Sequence, residues 1–238
     1  MVDRVKFKNT EVSRLGLGTM RLPCKSPLKR EADPLIDYTK GQQLVDMAYR
    51  NGVNYFDTAY MYHQGKSEKF IGTALKKYPR DTYFLADKLP IWLCKSPKDM
   101  QKIFDEQLER TGIDCFDFYL LHSLDKENFE KCEQYKAYDF VKEKQAEGLI
   151  KNIGFSFHGT VDDLKKIIAS HDWDFAQIQM NYLDWKNQDA KTQYKLLTQA
   201  GIPIIVMEPV RGGKLANDVP KNAVEQMKNH SPQSSIAS

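Results

Sequence analysis

The sequence predicts an α/β protein that forms a (β/α)8 barrel as a single domain over residues 1–238. Short apolar strands and amphipathic helices alternate along the chain, and no long linker interrupts them. Both a doubly wound open sheet and a closed barrel fit this alternation. The turn after the first barrel strand, LGLGTMRLP, lacks the third glycine of a dinucleotide-binding open sheet and leads into a polar loop. We therefore favour the barrel.

The composition indicates an ordinary globular protein, with 41% hydrophobic and 28% charged residues. A net charge of +3 is too small to indicate a nucleic-acid or membrane partner, and no apolar run is long enough to span a bilayer. The N-terminus has no apolar signal segment. Four scattered cysteines, without metal-type pairing, are expected to be reduced thiols in a cytoplasmic protein. A disulfide or metal role is the minor alternative.

The pattern places the elements in order. A hairpin is predicted at residues 5–7 and 11–13. Barrel strands are predicted at 15–19, 53–56, 82–86, 116–121, 150–155, 175–180 and 203–207. Helices are predicted at 41–51, 67–77, 97–111, 133–147, from about 161, at 190–199 and from about 220, with loops at 22–40 and 90–95.

This pattern supplies seven barrel strands, one βα unit fewer than a (β/α)8 barrel contains. Residues 234–238 lie where the seventh helix should be under way. We therefore expect the last βα unit to be missing and the chain to be a shortened form of a longer protein.

Polar side chains follow the predicted strands at their C-terminal ends, which meet at one rim of a barrel. Asp57 and Tyr62 follow the second barrel strand, Lys88 the third and His122 the fourth. Later strands contribute Ser156, His158, Gln177, Gln179, Asn181 and Glu208. Four types suited to catalysis at consecutive strand ends favour an active site, although each has a structural alternative as an ion pair, a core histidine or a loop tyrosine.

These residues suit protonation of a carbonyl oxygen. A buried Lys88 needs a carboxylate partner, and Asp57 on the adjacent strand can supply it. An ammonium near Tyr62 should lower the pKa of that phenol, so that it donates a proton near neutral pH. His122 would orient the substrate carbonyl. The reductant would be a bound hydride donor.

The chain resembles the aldo-keto reductase superfamily, in its bacterial-type branches. The matching segments are LGLGTMRLP, FDTAYMY with GKSEKFIGTAL, the strand-end Lys88, YLLHSL, IKNIGFSFHG, AQIQMNYLD and MEPVRGGKL. The resemblance implies a (β/α)8 barrel that reduces aldehydes or ketones. It also implies a catalytic tetrad of Asp57, Tyr62, Lys88 and His122, with Tyr62 as the proton donor.

The resemblance further implies a nicotinamide cofactor, NADPH rather than NADH. Its implied binding residues are Gly18, Thr19, Met20, Asp57, Ser156, Gln177, Met207, Pro209, Val210, Gly212, Gly213 and Leu215. Two positions depart from the family pattern. Phe157 stands where asparagine usually helps to hold the carboxamide, and Met207 stands where an aromatic ring usually stacks on the nicotinamide. The segment implied to set NADP over NAD lies beyond residue 238.

The expected partner is a small-molecule carbonyl substrate, held by Tyr62, His122 and Trp92, with Tyr60 and Leu93 as further apolar walls. Two other classes of function remain open. A non-catalytic regulatory subunit that keeps the cofactor pocket is the main alternative to the enzyme. A barrel isomerase or lyase is weaker because no metal or phosphate motif appears.

Overall fold

The computed structural model describes residues 1–25, 35–217 and 219–230, and it contains the predicted curled parallel sheet. Seven strands pair in parallel and in chain order, and they are numbered after the two strands of the N-terminal hairpin, β1 Arg4–Phe7 and β2 Thr10–Ser13. Their bounds are β3 Leu17–Gly18, β4 Tyr55–Asp57, β5 Phe84–Leu89, β6 Phe116–Leu124, β7 Ile150–Phe157, β8 Phe175–Gln179 and β9 Ile204–Met207. All seven predicted barrel strands are therefore present, each of them shifted by one to three residues at one or both ends.

Helices cover the outside of the sheet. They are α1 Tyr38–Arg50, α2 Ser67–Leu75, α3 Pro97–Thr111, α4 Lys126–Tyr135, α5 Ala137–Ala146, α6 Val161–Ser170, α7 Asp184–Asn187, α8 Ala190–Gln199, α9 Lys214–Asn217 and α10 Lys221–His230. Helix α6 begins with a capping box, in which the backbone amide of Thr160 donates to Asp163 at 2.9 Å and the amide of Asp163 donates to the Thr160 hydroxyl at 3.3 Å. None of the described helices is long and apolar enough to cross a membrane.

Three element predictions need correction. The single helix predicted at 133–147 is two helices, α4 and α5, separated by Lys136 in the left-handed region at φ 55°. Helix α1 starts at Tyr38, where the side chain of Asp37 accepts from the amide of Lys40, so the predicted loop at 22–40 is shorter. Residues 26–34 of that loop lie outside the described part of the chain. The predicted loop at 90–95 contains a short 3₁₀ turn, Ile91–Leu93.

The predicted N-terminal hairpin is confirmed as an antiparallel pair, β1 Arg4–Phe7 and β2 Thr10–Ser13. It places Phe7 inside the curled sheet, where the ring of Phe7 lies 5.1 Å from that of Phe118 and 6.4 Å from that of Phe175. Phe118 and Phe175 are themselves 5.2 Å apart. These apolar rings fill the N-terminal end of the interior, which leaves the C-terminal end for polar groups.

The two-residue period of the strands explains which side chains reach that C-terminal end. Tyr55 and Ala86 belong to the buried interior cluster, so Asp57 and Lys88, two residues further along their strands, point the same way. Phe175 is likewise followed by Gln177 on β8. The inward-facing apolar side chains at the N-terminal end of the strands therefore determine which polar side chains point inward at the C-terminal end.

Helices α2 and α3 approach closely at Gly72, and this gives a first testable prediction. A Cβ atom at Gly72 would lie 2.1 Å from the backbone oxygen of Thr111. Because that neighbour is backbone, we expect Gly72→Ala to push the helices apart and to lower the free energy of unfolding by about 1–3 kcal/mol. Urea unfolding measures the change. Thr73→Ala, at the exposed next position, is the control and should change it by no more than about 0.5 kcal/mol.

Candidate active site

An ion pair between β4 and β5 forms the base of the polar rim. The Lys88 ammonium donates to Asp57 Oδ1 at 2.6 Å and to the backbone oxygen of Thr58 at 2.7 Å. Lys88 is 1% exposed, and the amide of Gln177 donates to the other Asp57 oxygen at 3.1 Å. The predicted partnership of Lys88 and Asp57 is therefore present, and the backbone at Thr58 adds an acceptor that the sequence did not reveal.

Tyr62 and His122 lie beside this pair. The Lys88 ammonium is 5.1 Å from the centre of the Tyr62 ring, and the rings of Tyr62 and His122 are 6.2 Å apart at an edge-to-face angle of 80°. Tyr62 opens a 3₁₀ turn, Tyr62–Gly65, in which His63 and Gln64 both have positive φ. The four polar residues that the sequence selected are thus brought together at one end of the sheet.

His122 lies within β6 rather than after it, and it faces the aromatic ring of Trp92. The two ring centres are 5.0 Å apart. Nδ1 of His122 is buried and has no hydrogen-bond partner among the described residues. Burial, then the positive charge of Lys88 and the neighbouring His158, hold the pKa of His122 well below its ordinary value. The imidazole is therefore neutral near pH 7 and carries one N–H donor.

The pKa of Tyr62 differs from the expectation. Burial raises the pKa of the phenol, the Lys88 ammonium lowers it and Asp57 raises it, and the sum lies above the ordinary value. The predicted effect of Lys88 is thus present, but the predicted net direction is wrong because loss of solvation outweighs one nearby ammonium. For Lys88, burial alone would lower the pKa of the ammonium. Asp57 first and then Tyr62 outweigh burial, so the pKa of Lys88 lies above its ordinary value.

Residues near the end of β3 are fixed to the same centre. The amide and the hydroxyl of Thr19 both donate to the backbone oxygen of Asp57 at 2.9 Å, and the Ser67 hydroxyl donates to the Thr19 hydroxyl at 2.6 Å. Gly18, which pairs with Asp57 in the sheet, has open space where a Cβ would stand. The sulfur of Met20, the next residue, lies 3.9 Å from a guanidinium nitrogen of Arg21.

Two polar side chains that the resemblance assigned to the carboxamide lie on paired strands. Ser156 on β7 stands opposite Gln177 on β8, and both are buried. The Ser156 hydroxyl accepts from the amide of Ser123 at 2.7 Å, which ties β7 to the end of β6. Phe157, in place of the usual asparagine, is buried with its ring 6.4 Å from that of Phe155. It therefore packs in the core.

The loop after β9 is held by a buried carboxylate. Asp184 accepts from Gln179 at 2.9 Å, from Asn181 at 2.6 Å and from Arg211, whose Nε lies 3.0 Å from Oδ2. Asn181 also donates to the backbone oxygen of Glu208 at 3.0 Å. This network fixes the start of the loop that contains Pro209, Val210 and Leu215. Asp184, at the centre of the network, is not among the site residues predicted from the sequence.

The backbone of the loop after β9 passes close to a side chain from the end of β3. Gly212 and Gly213 have φ values of 66° and 95°, which other residues adopt at a cost. A Cβ at Gly212 would lie 2.7 Å from Nε of Arg21, whose guanidinium pairs with Glu208. The backbone of Gly212 and the Arg21 guanidinium are therefore in contact, in the segment that follows Met207, the last residue of β9. The residues present fit an extended dinucleotide that carries phosphate groups.

The expected substrate walls divide into two groups. Trp92 and Leu93 are each 38% exposed on the 3₁₀ turn after β5, and Trp92 faces His122. Tyr60 instead contacts α3, since its hydroxyl donates to Glu106 at 2.6 Å and the Arg110 guanidinium lies 4.2 Å from its ring centre. Tyr60 is therefore a link to the outer helices.

Comparison with known proteins identifies a family for most of the chain, the one that the sequence resembles. The aldo/keto reductase family model matches residues 14–235. A probable aldo-keto reductase from Glycine max is 27% identical over 226 residues, which are 90% of this chain and 62% of that protein. An NADH-specific methylglyoxal reductase from Escherichia coli K12 is 26% identical over 94% of this chain and 72% of its own. The chain thus spans less than two thirds of the Glycine relative's length.

Solved structures share the fold. The holo form of an aldo-keto reductase from Bacillus halodurans superposes with a TM-score of 0.72, at 23% identity, over 93% of this chain and 71% of its own. A thermostable aldo-keto reductase in complex with the inhibitor epalrestat gives a TM-score of 0.74, at 23% identity, over 98% and 81%. The family model covers well over half of the chain, and this chain therefore belongs to the aldo/keto reductase family.

Proposed function

We propose that this chain reduces an aldehyde or ketone to the alcohol, using a nicotinamide cofactor and Tyr62 as the proton donor. The observation that carries the proposal is the grouping of Asp57, Lys88, Tyr62 and His122 at one end of the sheet, with Lys88 held at 2.6 Å from Asp57. When bound, the reduced nicotinamide supplies hydride. The chain's own residues supply orientation and the proton.

Each side chain of the tetrad has a role in the proposed reaction. The neutral imidazole of His122 donates a hydrogen bond that holds the substrate carbonyl beside Tyr62. The buried ammonium of Lys88 stabilises the phenolate left after Tyr62 gives up its proton, and Asp57 keeps that ammonium in place. The ring of Trp92 packs 5.0 Å from that of His122 and covers one side of the imidazole.

For the cofactor, we propose Ser156 and Gln177 as the residues that hold the carboxamide, and Met207 as the side chain that packs on the nicotinamide face. Gly18, Thr19 and Met20, at the end of β3, would provide further contacts to the cofactor. The loop from Pro209 to Leu215, with Gly212 and Gly213, would cover the pyrophosphate.

NADPH is the proposed preference, as the resemblance implies, although one relative is NADH-specific. A fluorescence titration of the purified chain with NADPH and NADH tests this. We expect binding of both. NADPH binding that is at least about tenfold tighter, a difference of ~1.4 kcal/mol in binding free energy, would support the preference and would require a phosphate-binding group within residues 1–238. Equal affinities for NADPH and NADH would contradict the proposed preference but not the binding of a nicotinamide cofactor at this site. Binding of neither would contradict the cofactor assignment.

The pKa directions predict the pH profile of reduction. Tyr62 must be protonated to act as the acid, and its pKa lies above the ordinary value of about 10. His122 stays neutral because its pKa lies well below about 6.5. We therefore expect kcat for reduction to stay flat from about pH 6.5 to 9.5 and to fall only above about pH 10. A fall centred near neutral pH would contradict these assignments.

A further inference from the structure

Two buried acids lie together behind the tetrad, on the outer face of the sheet. Asp87 precedes Lys88 on β5, so its side chain points away from the interior and toward helices α2 and α3. Glu68 is the second residue of α2 and comes from the other side. Both side chains are 0% exposed. The reaction proposed above uses neither of them.

The hydrogen bonds leave these two carboxyl groups one donor short. Asp87 Oδ1 accepts from the backbone amide of Lys88 at 2.8 Å, and Glu68 Oε2 accepts from Arg110 at 2.9 Å. The other oxygens, Asp87 Oδ2 and Glu68 Oε1, are buried and find no donor among the described residues. An ionised carboxylate only accepts hydrogen bonds, so two adjacent carboxylates are satisfied only if one of them carries a proton.

The charged and titratable groups around the pair do not replace that proton. On α3, Arg110 divides its charge between Glu68 and Glu106, each at 2.9 Å. Gln107 uses one N–H of its side-chain amide for the backbone oxygen of Lys88 at 3.0 Å, and its oxygen accepts from the Tyr119 hydroxyl at 2.5 Å. Its second N–H interacts with Glu68, which leaves Asp87 Oδ2 without a donor. The other titratable groups whose electrostatic interactions reach the pair are Lys88, Tyr62 and Tyr119.

The electrostatics favour Asp87 as the protonated member. Burial first, and then the charge of Glu68, raise the pKa of Asp87 well above its ordinary value. Burial also raises the pKa of Glu68, but Arg110 opposes that effect. The single negative charge of the pair is therefore placed beside Arg110, on the side away from Lys88.

The geometry points to a positioning role for this pair: Glu68 and Asp87 share one proton, which fixes the backbone of Lys88 and keeps a second negative charge away from Lys88 and Tyr62. The role rests on the proposed reduction. A charge on Asp87 would raise the pKa of Tyr62 and weaken it as an acid. The shared proton therefore keeps the tetrad at the acidity that its own four residues set.

Thermal unfolding against pH tests the shared proton without any substrate. A raised pKa stabilises the folded chain below the unfolded value of about 3.9, and this stabilisation is lost as pH rises toward the folded value. Asp87→Asn carries a permanent donor and escapes the loss. We expect its Tm, relative to the unmodified chain, to rise by about 5 °C or more between pH 5 and 8.

A matched control is Asp117→Asn, since Asp117 is equally buried but pairs with Arg80 at 2.6 Å and Lys151 at 2.8 Å. This variant should unfold at a lower temperature than the unmodified chain at pH 7. A Tm difference for Asp87→Asn that does not change with pH would overturn the shared proton.

Two variants of equal charge test the positioning role. Asp87→Asn leaves the negative charge on Glu68, whereas Glu68→Gln moves it to Asp87, nearer the tetrad. In Asp87→Asn we expect no change in the pH at which kcat falls on the alkaline side. In Glu68→Gln we expect that pH to move up by about half a unit or more, which is the Coulomb effect of one nearby charge at an effective dielectric constant of ~20. A purely structural role would move neither limb, so identical limbs would overturn the proposal.

The outcomes separate this inference from the proposed function. If the unmodified chain reduces no carbonyl with either cofactor, the proposed function fails and the catalytic role of the pair fails with it, while the Tm comparison still decides the shared proton. If Glu68→Gln does not accumulate as folded protein, the dependence of Tm on pH in Asp87→Asn decides the proposal.

Discussion

Replacing Tyr62 by phenylalanine is expected to lower kcat for carbonyl reduction by about 10³-fold, because the variant lacks the proton donor while the ring still fills its site. The Kd for NADPH should change less than about threefold, since the hydroxyl is not among the residues proposed to hold the cofactor. Steady-state oxidation of NADPH with a carbonyl substrate and a fluorescence titration measure the two quantities on the same preparation.

Tyr60→Phe is the matched control for Tyr62→Phe. It removes the hydroxyl of a tyrosine two residues earlier in the chain. That hydroxyl donates a hydrogen bond to Glu106 on α3 and does not face the tetrad. Its kcat should remain within a few-fold of the unmodified value. Comparable turnover in Tyr62→Phe would remove Tyr62 from the proposed role, and an equal loss in both variants would indicate damage to the loop.

The second large effect is expected for Lys88→Met. The change removes the ammonium that stabilises the Tyr62 phenolate, so kcat should fall by about 10²-fold or more. It also leaves the largely buried Asp57 without its cation, which should lower the free energy of unfolding by about 3 kcal/mol. Activity assays and urea unfolding measure the two losses independently.

Lys151→Met serves as the control, because Lys151 also pairs with a buried aspartate, Asp117, but is 59% exposed and lies outside the tetrad. Asp117 keeps Arg80, so the loss of stability should stay below about 1 kcal/mol, with kcat unchanged. If Lys88→Met were as active as this control, Lys88 and Asp57 would be only a structural ion pair.

Much of the site could be predicted because strand order does most of the positioning. Asp57 and Lys88 follow apolar residues of the same period on adjacent parallel strands, so their meeting follows from the sheet. The same sheet geometry explains why Ser156 stands opposite Gln177 in the structure. Side chains at the C-terminal ends of parallel strands converge whatever the loops do.

Contacts between distant elements could not be predicted in this way. Asp184 and Arg211 are 27 positions apart, and nothing in either segment indicates that they meet. The pairing of Glu68 with Asp87 depends on how α2 lies against the outer face of β5. The break at Lys136 was missed because lysine gives no signal for the left-handed region.

The pKa of Tyr62 shows a different limit of sequence reasoning. The neighbour that lowers the pKa, Lys88, was identified, but the sign of the net effect depends on how deeply the phenol is buried. Burial is a property of packing, to which the residues around the turn at Tyr62–Gly65 all contribute. Motif residues therefore predict which groups meet more reliably than they predict how those groups titrate.

The most direct measurement follows deuterium from the hydride position of labelled NADPH during turnover with a panel of aldehydes and ketones. The account predicts an alcohol product with deuterium on the carbinol carbon and a proton from solvent on its oxygen, formed by the unmodified chain and nearly absent with Tyr62→Phe. Binding of NADPH with no transfer of deuterium to any carbonyl would contradict it, and would instead support a non-catalytic subunit that retains the reductase fold.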